Sequence, residues 1–148
     1  MRVVSRRAAL ALGLGTAATL AAIRTRATPS EAEEAIAKFT AGQQPMEGRI
    51  AIDLPEIAEN GTAVPLAVTV ESPMTGNDRV TDVLVVADGN PNPRVATFHF
   101  TPLSGRAEVA TRIRLNATEN VIVVARTGDG RFFTARKEVK VTIGGCGG

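Results

Sequence analysis

"RAEVATRIRL", residues 106–115, places Val109, Thr111, Ile113 and Leu115 on one side of an extended chain and Glu108, Arg112 and Arg114 on the other. A period of two with one apolar side is the pattern of a half-buried β-strand, and no helix keeps those four residues on one face. The same period runs through most of the chain. "RIAIDL" (49–54) alternates Ile50, Ile52 and Leu54, and "VPLAVTVES" (64–72) alternates Val64, Leu66, Val68 and Val70, with Asn60 and Gly61 expected to turn the chain between them. Pro65 has no amide hydrogen for a ladder, which argues that the second run lies at a sheet edge or starts with a bulge.

"VTDVLVVAD" (80–88) is denser in valine, as a central strand would be, and "NPNP" (90–93) then breaks the run into a loop. "RVATFHF" (94–100) sets Ala96, Phe98 and Phe100 on one side. "ENVIVVART" (119–127) and "RFFTARKEVKVTI" (131–143) flank Gly128, Asp129 and Gly130, a strong hairpin signal. Strands this short, divided by Pro, Gly and Asn with no helices between them, point to a mainly β protein. The expected architecture is an immunoglobulin-like antiparallel β-sandwich of about seven strands, with a small barrel as the alternative.

One helix precedes the strands. Ser30 with Glu33 three residues on has the form of a capping box, Pro29 stands before it, and Gly42 is a stop, which predicts a helix over about Glu31 to Ala41. Glu31, Glu33 and Glu34 suit the positive end of its dipole, and Ala35, Ile36 and Phe39 form an apolar face for docking. Upstream, "MRVVSRRAALALGLGTAATLAAIRTRA" has the paired Arg6 and Arg7 of a twin-arginine export signal, followed by an uncharged run from Ala8 to Ile23 that is short and weakly apolar for a membrane span. Cleavage is expected after Ala27, with Ala21 or Ala22 as alternatives. The chain thus divides into a leader (1–27), a helix and linker (28–47), a sandwich (48–143) and a terminal arm (144–148). The implied destination is the periplasm.

Charge and composition exclude several function classes. Five arginines of the leader account for the basic balance: removing five from 17 basic residues leaves 12 against 15 acidic ones, a body of about −3 and the wrong sign for a phosphate backbone. There is no Trp or Tyr, so stacking platforms for bases are scarce. A zinc site draws three or four ligands from His, Cys and carboxylates, but this chain has one His and one Cys. His99, between Phe98 and Phe100, reads as a surface or half-buried sheet residue. Glu33 and Glu34 read as a solvated helix end. Gly13 and Gly15 fall in the leader and form no phosphate loop. The sequons at Asn60 and Asn116 are turn residues in a chain with a bacterial-type leader.

What remains is the terminus, "KVTIGGCGG" (140–148). Cys146 lies between Gly144, Gly145 and Gly147, Gly148, and glycine visits most of backbone space, so the sequence places a thiol on a thin, flexible arm. From Ile143 the arm reaches roughly 10 Å. No cationic side chain is adjacent in sequence to favour the thiolate. The thiol is therefore expected to be a handle activated inside other proteins, not the nucleophile of a self-contained site.

"LPEIAENGTAVPLAVTVESPM" (54–74), "RVATFHF", "TRIRL" (111–115) and above all "GGCGG", behind a twin-arginine leader, resemble the SoxY family of sulfur carriers in periplasmic thiosulfate oxidation. The resemblance implies that Cys146 holds sulfur intermediates covalently. Thiosulfate is coupled to it by a haem enzyme, sulfate is released hydrolytically, and the sulfane sulfur is oxidised by a molybdenum enzyme where present. It also implies a heterodimer with SoxZ, a second small sandwich protein, and no cofactor of the chain's own. Two other readings exist. A ubiquitin-like sulfur donor would use a thiocarboxylate on Gly148, but it is activated in the cytoplasm and needs a helix-over-sheet body. A structural sandwich protein with an incidental cysteine would keep its role after loss of the last five residues.

Overall fold

Residues 30–144 are described by the structure, a computed structural model. Helix α1 (Glu31–Thr40) starts as its capping box dictates: the Glu33 amide donates to Ser30 Oγ at 3.2 Å and the Ser30 amide donates to Glu33 Oε2 at 3.0 Å. It ends where Ala41 turns left-handed, one residue before Gly42. The buried face is Ala32, Ile36 and Phe39, so Ala32 takes the close contact expected of Ala35. Phe39 meets Phe132 edge-on at 5.9 Å between centroids.

Among the described residues nine strands follow: β1 (Met46–Glu47), β2 (Ile50–Asp53), β3 (Ile57–Asn60), β4 (Val64–Val70), β5 (Val80–Ala87), β6 (Arg94–His99), β7 (Ala107–Ile113), β8 (Glu119–Thr127) and β9 (Phe132–Ile143). They form two sheets. The larger has the order β1-β9-β8-β5-β6, with β3 also on β9, and the smaller is β2-β4-β7. All pairs are antiparallel except β1 and β3, which run parallel to β9.

The sandwich core joins Val64, Leu66, Val68 and Val70 of β4 to Val83 and Val85 of β5, Val121, Val123 and Ala125 of β8, and Val139 of β9. Alternate residues Leu84, Val86, Ile122 and Val124 point the other way and are covered by α1. Both faces of β5 and β8 are thus buried, which is why those strands are valine-rich throughout instead of alternating. Strand β7 keeps the clean alternation, with Ile113 buried and Glu108 and Arg112 exposed, because only one of its faces is covered.

Three details depart from simple expectation. The segment 57–60 is a strand, not only an approach to a turn; it is four residues long and its Ile57 is 60% exposed, so no apolar period announces it. Pro65 lies in the middle strand of the small sheet, yet opposite Arg112 at a point where β2 has already ended, its last residue Asp53 facing Ala67. The proline therefore interrupts no ladder on that side. In β6 a bulge between the partners of Val85 and Val86 inserts Val95, which joins Phe98 and Phe100 against the core.

Candidate functional site

The expected arm bearing Cys146 follows β9 in the sequence. Gly145, Cys146, Gly147 and Gly148 lie outside the described residues, as do Arg6 and Arg7 of the leader; Gly144 is described. Ile143, the last strand residue, is 66% exposed, so the chain leaves the sandwich at its surface.

That exit is held on both edges. On one, β3 pairs Asn60 with Ile143, and the Gly61 amide donates to the Ile143 carbonyl at 2.8 Å. The Gly61 carbonyl in turn accepts from the Leu115 amide at 2.8 Å, tying the turn to a fully buried residue. Asn60 closes this turn with its own side chain, Oδ1 accepting from the Thr62 amide at 2.9 Å. On the other edge, where the ladder with β8 has ended at Glu119, the Val141 amide donates to Thr118 Oγ1 at 3.0 Å. Gly144 then passes directly over the Asn116 carbonyl, and a Cβ at that position would overlap the oxygen. A side chain there would force one of the two backbone segments to move.

Asn116 is itself pinned. Its amide donates to Asn90 Oδ1 and to Glu119 Oε1, each at 2.9 Å, and Glu119 Oε2 accepts from the Gly89 amide at 2.7 Å. Glu119 is 4% exposed, a carboxylate spent on backbone amides of two loops. In the sequence Gly144 is one of four interchangeable arm glycines and Asn116 is a turn residue. Glu119 bonds the Asn116 amide of its own loop, three positions back, but its second partner, the Gly89 amide 30 positions away, has no trace in the local sequence. A proline at Gly144 would collide with Asn116, so a stiffening test of the arm belongs at Gly145.

His99 is placed as expected, in an edge strand with its side chain 74% exposed, and its Nδ1 contacts Asp82 Oδ1. Arg126 approaches Asp82 Oδ2 at 2.8 Å, though poorly aligned for a hydrogen bond. Burial pushes the Asp82 carboxyl up, but the Thr81 hydroxyl, His99 and the Arg126 guanidinium outweigh it and hold the group below the usual carboxylate value. This stabilisation is complete above the ordinary value of about 3.9 and fades as pH falls through the lower folded value. Urea unfolding of Asp82→Asn is expected to have a shallower loss of stability between about pH 5 and pH 2 than the parent; identical slopes would refute the assignment. The cluster is an outer-face ion pair at the other end of the sheet from the arm, since Arg126 faces Phe132 at the start of β9. Glu33 caps α1, and Glu34 is exposed beside it.

Among the described residues there is no group of three or more His, Cys, Asp or Glu able to hold a metal ion, and no helix long and apolar enough to cross a membrane.

Known proteins share the family and the fold. The model of a family described as "Sulfur oxidation protein SoxY" matches residues 36–146, so the matched stretch ends on the cysteine itself. The solved sulfur carrier protein SoxY from Chlorobium limicola f thiosulfatophilum is 39% identical, with a TM-score of 0.61 over 74% of this chain and 94% of that one. Two superoxide reductase (neelaredoxin) structures from Ignicoccus hospitalis share the fold at TM-scores of 0.56 and 0.57 with 15% and 19% identity. They cover 70% and 78% of this chain, and 85% and 90% of their own. No curated relative matches the chain.

Proposed function

Since the chain belongs to the SoxY family, we propose that it is a periplasmic sulfur carrier that holds thiosulfate-derived sulfur on Cys146 and presents it to the enzymes of the Sox pathway. The observation that carries the reading is that the family match runs to the chain's one cysteine, three residues beyond an exposed strand end. Export through the twin-arginine route, marked by Arg6 and Arg7, would deliver the folded chain to that compartment, paired with a SoxZ-like sandwich subunit.

The chemistry asks little of the carrier. In the loading step the Cys146 thiol and the outer sulfur of thiosulfate form an S–S bond; the thiol proton goes to solvent and two electrons pass to an acceptor on the haem-bearing partner. Water then cleaves the bond between the sulfane sulfur and the sulfonate, releasing sulfate and two protons and leaving a persulfide on Cys146. Oxidation of that persulfide by a molybdenum-bearing partner and a second hydrolysis would restore the thiol. The carrier supplies a sulfur atom, a short tether and an exposed exit. Catalytic groups, charge stabilisation and redox centres belong to the partners, so this chain acts as covalent substrate and not as an enzyme.

Intact-mass analysis after incubation with thiosulfate and the partner enzymes tests this. The expected result is an added thiosulfonate mass that maps by proteolysis to the C-terminal peptide and disappears on reduction. An unmodified chain under conditions where thiosulfate is consumed would overturn the reading.

A further inference from the structure

Resting on the carrier reading, we propose that the arm is anchored at Gly144 by the Asn116 loop, with Glu119 as the positioning residue, so that only the residues beyond Gly144 deliver the thiol. Four observations converge on this. The Ile143 carbonyl is held by the Gly61 amide, and the Val141 amide by the Thr118 hydroxyl, which grips the strand end from both edges. Gly144 rests on the Asn116 carbonyl with no space for a Cβ. Asn116 is fixed through its amide by Glu119 and Asn90. Glu119 is buried and also takes the Gly89 amide, and a Cβ on Gly89 would stand 2.9 Å from that of Glu119, so the two loops close around the carboxylate without slack.

Anchoring sets a ruler. From Gly144 to Cys146 the chain spans at most about 7 Å, and the side chain adds roughly 3 Å more. Every enzyme that acts on the thiol must therefore place its reacting centre within about 10 Å of the surface it presses against the arm's root, a surface built from Ile143, Asn60 and the 116–118 loop. An unanchored end would behave differently, because fraying of β9 would lend further residues to the arm.

A double-mutant cycle on the mature protein, read as thiosulfate adduct formed on Cys146 in the presence of the partner enzymes, separates the two cases. Deleting Gly145 removes about 3.5 Å of reach and is expected to slow loading about a hundredfold, the scale of loss for small misplacements of reacting atoms. Glu119→Gln replaces one of the two accepting oxygens by a donor facing a backbone amide and so loosens the loop around Asn116, and in that background the deletion is expected to cost at least about tenfold less, since the loosened strand end supplies the missing length. Gly144→Ala, which displaces the same contact without touching the buried carboxylate, is expected to give the same rescue and carries the test if Glu119→Gln melts below the assay temperature. A purely structural Glu119 would make the two losses multiply. Equal effects of the deletion in all backgrounds, with Cys146→Ala inactive, would overturn the anchor and leave the carrier reading standing; an active Cys146→Ala would instead overturn the carrier reading itself.

Discussion

Cys146→Ala is expected to fold with an unchanged melting transition and to reduce thiosulfate-dependent turnover of the reconstituted system by more than about a thousandfold, the scale seen when a reacting nucleophile is deleted. The reasoning is covalent. With the chain's one thiol gone, no S–S bond to thiosulfate forms, and no other side chain of this protein substitutes for it. A serine in its place should be equally inactive, because a hydroxyl cannot be carried through a persulfide. Binding of the proposed SoxZ-like partner, measured by size-exclusion chromatography, should survive in both variants. Turnover near the parental rate would reject Cys146 as the carrier atom. Loss of partner binding would reject the separation of arm from sandwich.

Leu115→Ala is expected to be the most damaging of the single truncations near the arm. Leu115 is fully buried in the main core, and its amide secures Gly61, which in turn secures the Ile143 carbonyl. Removing its side chain should cost about 2–5 kcal/mol, the range for leucine truncation at closed sites. That corresponds to a fall in Tm of roughly 10 °C or more. Leu103→Ala is the control: Leu103 is 95% exposed in the turn before β7, and its truncation should lie within about 0.5 kcal/mol of the parent. Thermal unfolding of the two variants side by side decides the matter, and equal losses would contradict the assigned burial.

How far the sequence could be read depended on whether a residue's role was local. The alternation in 64–70 and 107–115 reports a strand with one covered face, so those elements were legible residue by residue. The capping box of Ser30 and Glu33 was legible because both partners lie within one helical turn. The hairpin at Gly128–Gly130 was legible for the same reason: the Gly130 amide closes onto the Thr127 carbonyl at 2.9 Å. Strands β1 and β3 were not, since their stability comes from an edge of β9 more than 80 residues away and not from any pattern of their own. The inserted Val95 was hidden too, because a bulge is defined by its partner strand and not by the residue that forms it.

The candidate site divides along the same line. Cys146, its flanking glycines and the paired Arg6 and Arg7 are visible as letters, because an unusual residue in an unusual position needs no partner to be noticed, and the roles proposed for them were open to the sequence alone. The grip on the arm's root is different. Gly61, Asn116, Thr118 and Glu119 are ordinary residues in ordinary turns until the fold brings 57–61, 88–90 and 114–119 around the end of β9. From the sequence alone came a mainly β chain with one cysteine set among glycines. Only the tertiary structure decided that Gly144 lies against the Asn116 carbonyl, because the two belong to segments that meet solely in the folded protein.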